Sequence, residues 1–219
     1  MTDKLSTYDV LGIVIPGVLL LAWVPICFPG AAEWAQMVRF PTAFSALALT
    51  ALAVFVGQLI QALASLLEPV LYWTWRGRPS DRALSQGLKG YLPPDSAERI
   101  NEKLCRDLPP KSDPHSRFLY AMQQAATADN PRVAQFNTLY AYHRALLVLT
   151  VLGGLALIAS MFWGSFAAWT AAQRAAAIVS SLLLALLIWY RAWQRACYYV
   201  REVLLTAERA LDSRESAKE

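Results

Sequence analysis

Charge is the first thing this sequence is short of. Only 16% of its 219 residues are Asp, Glu, Lys or Arg, against about 25% in ordinary soluble domains. Packing of the whole chain in water is therefore the wrong starting assumption. Histidine is scarcer still: His115 and His143 are the only two, too small a stock for metal-site or triad chemistry. The three cysteines, Cys27, Cys105 and Cys197, lie far apart with no CxxC spacing, which excludes a disulfide frame and a zinc site. The chain has no P-loop, GxGxxG, GxSxG or HExxH, and no paired carboxylates inside an apolar run. The expectation is a non-enzymatic chain with no catalytic residues, no cofactor and no metal. Strand-like alternation, internal repeats and low-complexity tracts are also missing.

What is present in excess is apolar length. Hydrophobic residues make up 56% of the chain, and its mean hydropathy is +0.33. Four runs are long enough for the roughly 20 residues that a bilayer-crossing helix needs: Val10–Phe28, Thr42–Trp75, Ala145–Trp163 and Ala175–Tyr190. The first run is longer than a signal-peptide core and ends in Pro25, Ile26, Cys27 and Phe28, which do not form a small-residue cleavage site. It reads as a retained membrane helix. The second would reach about 50 Å as one helix, too long for a hydrocarbon layer of about 30 Å, and Pro69 marks the expected break.

Lys and Arg set the orientation. Arg39 alone lies between the first two spans and Arg174 alone between the last two, whereas Arg76–Arg132 holds ten basic residues and the stretch after the fourth span holds six. By the positive-inside rule both termini and the central segment are cytoplasmic. Trp34 and Trp169 on the outer side, and Tyr72, Trp73, Trp75, Trp189, Tyr190 and Trp193 on the inner side, suit interfacial aromatic belts. The predicted fold is an all-α integral membrane protein, with residues 1–75 holding helices 1 and 2, 76–140 a cytoplasmic helical insert, 141–190 helices 3 and 4, and 191–219 an amphipathic cytoplasmic tail.

Within the insert, "PSDRALSQGL" offers Ser80 or Asp81 as a helix cap, and "DSAERINEKL" reads as a capping box from Asp95 to Glu98. "DLPPKSDPHS" (107–116) is a proline-rich linker carrying an exposed His115. Pro131 suits the first position of a helix that continues into the third span. Basic residues here alternate with Asp81, Asp95, Glu98, Glu102 and Asp107, so no direct nucleic-acid surface is expected.

Polar groups inside apolar runs are the candidate functional residues. Gln58, Gln61, Ser65 and Glu68 recur at i, i+3, i+7 and i+10 on one helix face. They either hydrogen-bond a neighbouring helix or line a polar cavity in an oligomer. Glu68 falls at the membrane boundary, where Arg144 or Arg191 is its expected partner. Ala46, Thr50, Ala53 and Gly57 form a small-residue stripe on the same helix, and Gly153–Gly154 and Ser180–Ser181 offer the same close approach on helices 3 and 4. Such stripes serve packing within the chain or between copies. Asn137, Tyr140, His143 and Arg144, together with Arg191, Arg195 and Arg201, mark the inner boundary. They are snorkelling anchors or lipid-headgroup contacts, or they couple the insert to the spans.

Two spans, the helical insert Arg76–Tyr140 and two further spans resemble the small four-span membrane proteins of bacterial antiphage systems. The "YDVLGIVIPG" opening (8–17) is similar to the start of many bacterial membrane proteins. The resemblance implies a role in membrane-linked defence at the bacterial inner membrane and transfers no functional residue.

Two functions are weighed at this point; the first is the expectation and the second its alternative. One is an oligomeric inner-membrane effector or sensor subunit, channel-like or membrane-perturbing, controlled through its cytoplasmic helices. It expects the Gln58/Gln61/Ser65 face to point at a symmetry axis. The other is a non-conducting anchor, accessory or immunity protein that docks a cytoplasmic partner. It expects that face to be satisfied within one subunit. Both imply membrane lipids as partners; the first adds a homo-oligomer, the second a cytoplasmic protein.

Overall fold

The computed structural model describes residues 9–30, 33, 42–109, 111–128 and 130–217. Trp34 and Arg39, used above to assign the outer side, lie outside them. Among the described residues the fold is all-α, and the only extended pairing is an isolated bridge between Leu88 and Leu92. The helices are α1 (Ile15–Cys27, preceded by a π turn at Val10–Val14), α2 (Thr42–Leu66), α3 (Glu68–Thr74), α4 (Pro79–Gln86), α5 (Pro94–Arg106), α6 (Pro114–Thr127), α7 (Pro131–Trp163) and α8 (Ala171–Ser216). Four helices, including α1 with its π turn, are long and apolar enough to cross a membrane: Val10–Cys27, Ser45–Leu66, α7 and α8.

Proline sets the helix starts. Pro79, Pro94, Pro114 and Pro131 each open a helix, where φ is already helical and the missing amide proton would have had no intrahelical partner. This corrects two expected caps. Ser80 and Asp81 lie inside α4, and Asp95 lies in the first turn of α5, whose N-cap is Pro93 with no side-chain cap. At α6 the cap is a side chain: Asp113 accepts from the Ser116 amide at 3.1 Å. His115 is exposed in that helix's first turn and not in a linker. The long second run breaks at Leu67, just before Pro69, and α3 then ends on Arg76 with φ +60. There Gly77 and Arg76 amides reach back to the Tyr72 and Trp73 carbonyls, a Schellman closure built without glycine at its left-handed position.

The chain forms two compact units. The first comprises Met1–Leu67 and Ala141–Ala192; the second comprises Glu68–Tyr140 and Trp193–Glu219. Residues 193–219, most of the tail expected at 191–219, belong to the second unit, where their apolar stripe has partners. Val200, Val203, Leu204, Ala207 and Leu211 share one core with Ala97, Ile100 and Leu104 of α5 and Phe118, Ala121 and Ala125 of α6. Each fully buried Val, Leu or Ile of this kind contributes about 1.5–3 kcal/mol. Trp193 packs on this core, its ring edge-on to Tyr91 at 5.9 Å, and Trp75 is buried. Trp75 is thus an interior residue and not a belt residue, Trp193 is half-buried, and Trp73 is 81% exposed.

The polar edge of the second unit is an ion-pair ladder. Arg99 bonds Glu208 at 2.7 Å, Lys103 bonds Asp212 at 2.5 Å and Glu208 at 3.4 Å, and Arg106 bonds Glu215 at 3.2 Å. Partner numbers rise together along both helices, so α5 runs parallel to the C-terminal part of α8.

In the first unit, α2 packs on α1 and its π turn, and Ile60 and Ala64 of α2 form a buried cluster with Ala145 and Val148 of α7. None of the residues in the apolar window of α8 is buried within the chain.

Candidate functional site

The crossing of α1 and α2 is made by two glycines. A Cβ added to Gly17 would land on the Ala53 carbonyl, and one added to Gly57 would land on the Ile13 carbonyl. Backbone therefore rests on backbone at both positions. Of the predicted small-residue stripe, Ala53 and Gly57 are buried here, while Ala46 and Thr50 are exposed. The Thr50 hydroxyl donates to the Ala46 carbonyl at 2.8 Å.

The crossing brings Gln61 against a defect in the first helix. Gly12 sits in the π turn, and Pro16, four residues on, has no amide proton to offer its carbonyl. Gln61 Nε2 donates to that carbonyl at 2.5 Å and lies 3.5 Å from the Ala141 carbonyl. One amide thus ties α2 to the start of α1 and to α7, with Gln61 itself only 8% exposed. A second link joins α1 to α7: the Trp23 indole donates to the Gly153 carbonyl at 3.1 Å. A Cβ added to Gly153 would meet the indole at 3.4 Å, in ordinary van der Waals contact, and one added to Gly154 would lie 3.9 Å from Ser181 of α8.

The predicted polar stripe is not brought together. Gln61 is buried and Glu68 half-buried, but Gln58 and Ser65 are exposed. At about 100° per residue the four span an arc of about 80°, with Gln58 and Ser65 at one edge and Gln61 and Glu68 at the other. The limit of the packed face runs between them. Glu68, His143, Arg144 and Arg191 all engage other groups, and His143 meets the Tyr142 ring edge-on at 5.5 Å. Asn137 and Arg191 are exposed, and Arg195 is half-buried. Tyr140, 8% exposed, places its hydroxyl 3.5 Å from that of Tyr72. Sequence reasoning missed the Gln61–Gly12 bond, although Pro16 four residues after Gly12 was its visible signal.

A hollow of about 310 Å³ lies beside Leu19, Trp23, Gly153, Gly154 and Ser181. Its hydroxyls are already used. Thr150 donates to the Leu146 carbonyl at 2.8 Å and Ser181 to the Ala177 carbonyl at 2.9 Å. With the Trp23 indole also bonded, each of these side-chain donors is engaged within the chain.

In the second unit, the Cys197 thiol is buried and is pushed up to about 12 by burial, which keeps it protonated and unreactive. Cys105 is the exposed free thiol. Among the described residues no cluster of three or more His, Cys, Asp or Glu is placed to hold a metal ion. Comparison with protein-family models, with characterised proteins and with solved structures finds no match.

Proposed function

We propose that this chain is a multi-pass protein of a bacterial inner membrane, an anchor or sensor subunit that does not conduct ions. Its cytoplasmic helices (residues 68–140 and 193–217) dock a protein partner. On this reading α1, α2, the apolar part of α7 and residues 175–190 of α8 cross the bilayer, with both termini inside, as the Lys and Arg distribution favours. The observation that carries the non-conducting part is the Gln61 amide, whose hydrogen bonds go to Gly12 and Ala141 of the same chain. The most buried polar side chain of α2 is thus a strut between helices. A role in defence rests on the architectural resemblance alone.

The effector reading keeps one specific support, the exposure of Gln58 and Ser65 on the other side of α2. Proteoliposome flux separates the two. Vesicles carrying the chain are expected to release a trapped ion-sensitive dye no faster than protein-free vesicles. Steady conductance would overturn the proposal in favour of an effector. In the same vesicles, protease added from the side that cleaves the C-terminus is expected to reach the 76–140 segment as well.

A further inference from the structure

The outward face of α2 carries a pattern the packed face does not explain. Ala51, Phe55, Gln58, Ala62 and Ser65 follow one another in steps of four, three, four and three residues, and every one is exposed. They fall within an arc of about 80°. Ala53, Gly57, Ile60 and Ala64 occupy the opposite side and are buried. Steps of four and three are the spacing of a seam between helices that wind around each other, and the small side chains at 51, 62 and 65 let a second helix backbone come close.

Gln58 is the informative member. In a bilayer it lies about 12 Å along the helix from Leu66 and about 24 Å from Thr42, within a hydrocarbon layer of about 30 Å. It makes no hydrogen bond among the described residues. A primary amide facing hydrocarbon without a partner is costly, because lipid tails neither donate nor accept. The amide also identifies its complement. Every copy of the chain inserts with the same orientation, so copies meet about an axis along the membrane normal. Such an axis puts Gln58 of one copy opposite Gln58 of the next, at equal depth. An amide carries both a donor and an acceptor, so it satisfies itself across that axis.

We infer that α2 is a self-association helix: a second copy of this chain covers the Ala51–Phe55–Gln58–Ala62–Ser65 face, and paired Gln58 amides hold the two together. Gln61 bonds within each copy and Gln58 bonds between copies. The inference rests on the membrane-spanning part of the proposed function and not on whether the cytoplasmic helices dock a partner.

The exposed Cys105 gives a native labelling site for the test. Donor- and acceptor-labelled full-length chains are reconstituted together in phosphatidylethanolamine/phosphatidylglycerol vesicles at graded dilution, and energy transfer is followed against protein density. Transfer is expected to rise with density and to fall when unlabelled chain is added. Gln58→Leu should raise the half-association density about 3- to 20-fold, the range one or two interhelical hydrogen bonds yield. Gln58→Asn, which keeps an amide, should restore most of it. Ala62→Phe should abolish transfer by holding the backbones apart, and Leu183→Ala, on the exposed face of α8, should change nothing. Transfer absent at every density would mean that lipid alone covers the face and would overturn the inference, as would unchanged association of Gln58→Leu and Ala62→Phe. Flotation of the same vesicles distinguishes the two failures: a chain that does not float with lipid removes the membrane reading itself, while one that floats as a monomer removes only the self-association.

Discussion

Gln58 and Gln61 are the same side chain three residues apart on one helix, yet their surroundings are opposite. Gln61 is 8% exposed and donates to the Gly12 carbonyl, to which Pro16 has no amide proton to offer. Gln58 is exposed on the far side of α2. Hydrophobicity does not separate the two sides, since Leu59 is 50% exposed while Ile60 is 1% exposed. What separates them is backbone proximity. Gly17 and Gly57 let α1 come within contact distance of one side of α2, and only an amide on that side reaches a main-chain acceptor. In this chain glycine position, more than apolar pattern, decides which polar group becomes internal.

The largest break in that comparison should come from the glycines. Gly57→Leu places side-chain atoms where the Ile13 carbonyl now sits and cannot be accommodated by a rotamer change. Overpacking of this kind costs typically 1–3 kcal/mol and occasionally more. A loss of about 3 kcal/mol is expected in SDS-titrated unfolding from mixed micelles, with the Gln61 bond lost as the helices part. A variant as stable as the parent would show that α1 and α2 do not cross at these residues.

A smaller effect sharpens the comparison directly. Gln61→Leu removes the buried side-chain bond to the Gly12 carbonyl and should cost about 1–2 kcal/mol in the same titration. Gln58→Leu, measured on dilute monomer, should change stability by no more than about 0.5 kcal/mol, as exposed substitutions do. Equal losses from the two would erase the distinction between the faces.

Sequence made the four apolar helices legible, because length and composition alone carry that signal. The division of the polar stripe was not legible, for a physical reason. On a soluble helix, polar residues mark the outside; in a chain surrounded by lipid the outside is as apolar as the core, so periodicity cannot say where the packed face ends. Gln58, Gln61, Ser65 and Glu68 therefore looked like one face, although the packing limit cuts between Gln58 and Gln61. The second unit misled in another way. Capping signals at Ser80, Asp81 and Asp95 were real helix-start composition, but Pro79 and Pro94 took the first helical position ahead of them. The 191–219 tail looked separate because its apolar stripe has no partner nearby in sequence; the partners of residues 200–211 lie about a hundred residues earlier, in α5.

Glu208 gives the smallest effect and carries the comparison into water. It is 11% exposed on its side chain and lies between Arg99 and Lys103. Burial pushes its carboxyl up, but the hydrogen bond and charge of Arg99, with those of Lys103, carry it below its ordinary 4.5. Lys103 moves the opposite way, raised chiefly by its hydrogen bond to Asp212 against the opposing effect of burial. Stability from Glu208 is thus present above pH 4.5 and is lost as pH falls through its lower folded value. That from Lys103 is present below its ordinary 10.5 and is lost as pH rises through its raised value. The ladder is whole across the neutral range. Glu208→Gln should therefore cost about 1 kcal/mol or less at pH 7, since the neutral amide leaves no buried charge behind and Arg99 keeps 56% of its side chain in contact with solvent. The difference from the parent should shrink in high salt and vanish below the folded carboxyl value. Water hydrates the Arg99 left behind and Asp212 still pairs Lys103, whereas Gln61→Leu removes a bond from a site away from solvent. A Glu208→Gln loss larger than that of Gln61→Leu, persisting in acid, would mean that the ladder is shielded from water and that solvent does not set the size of these effects.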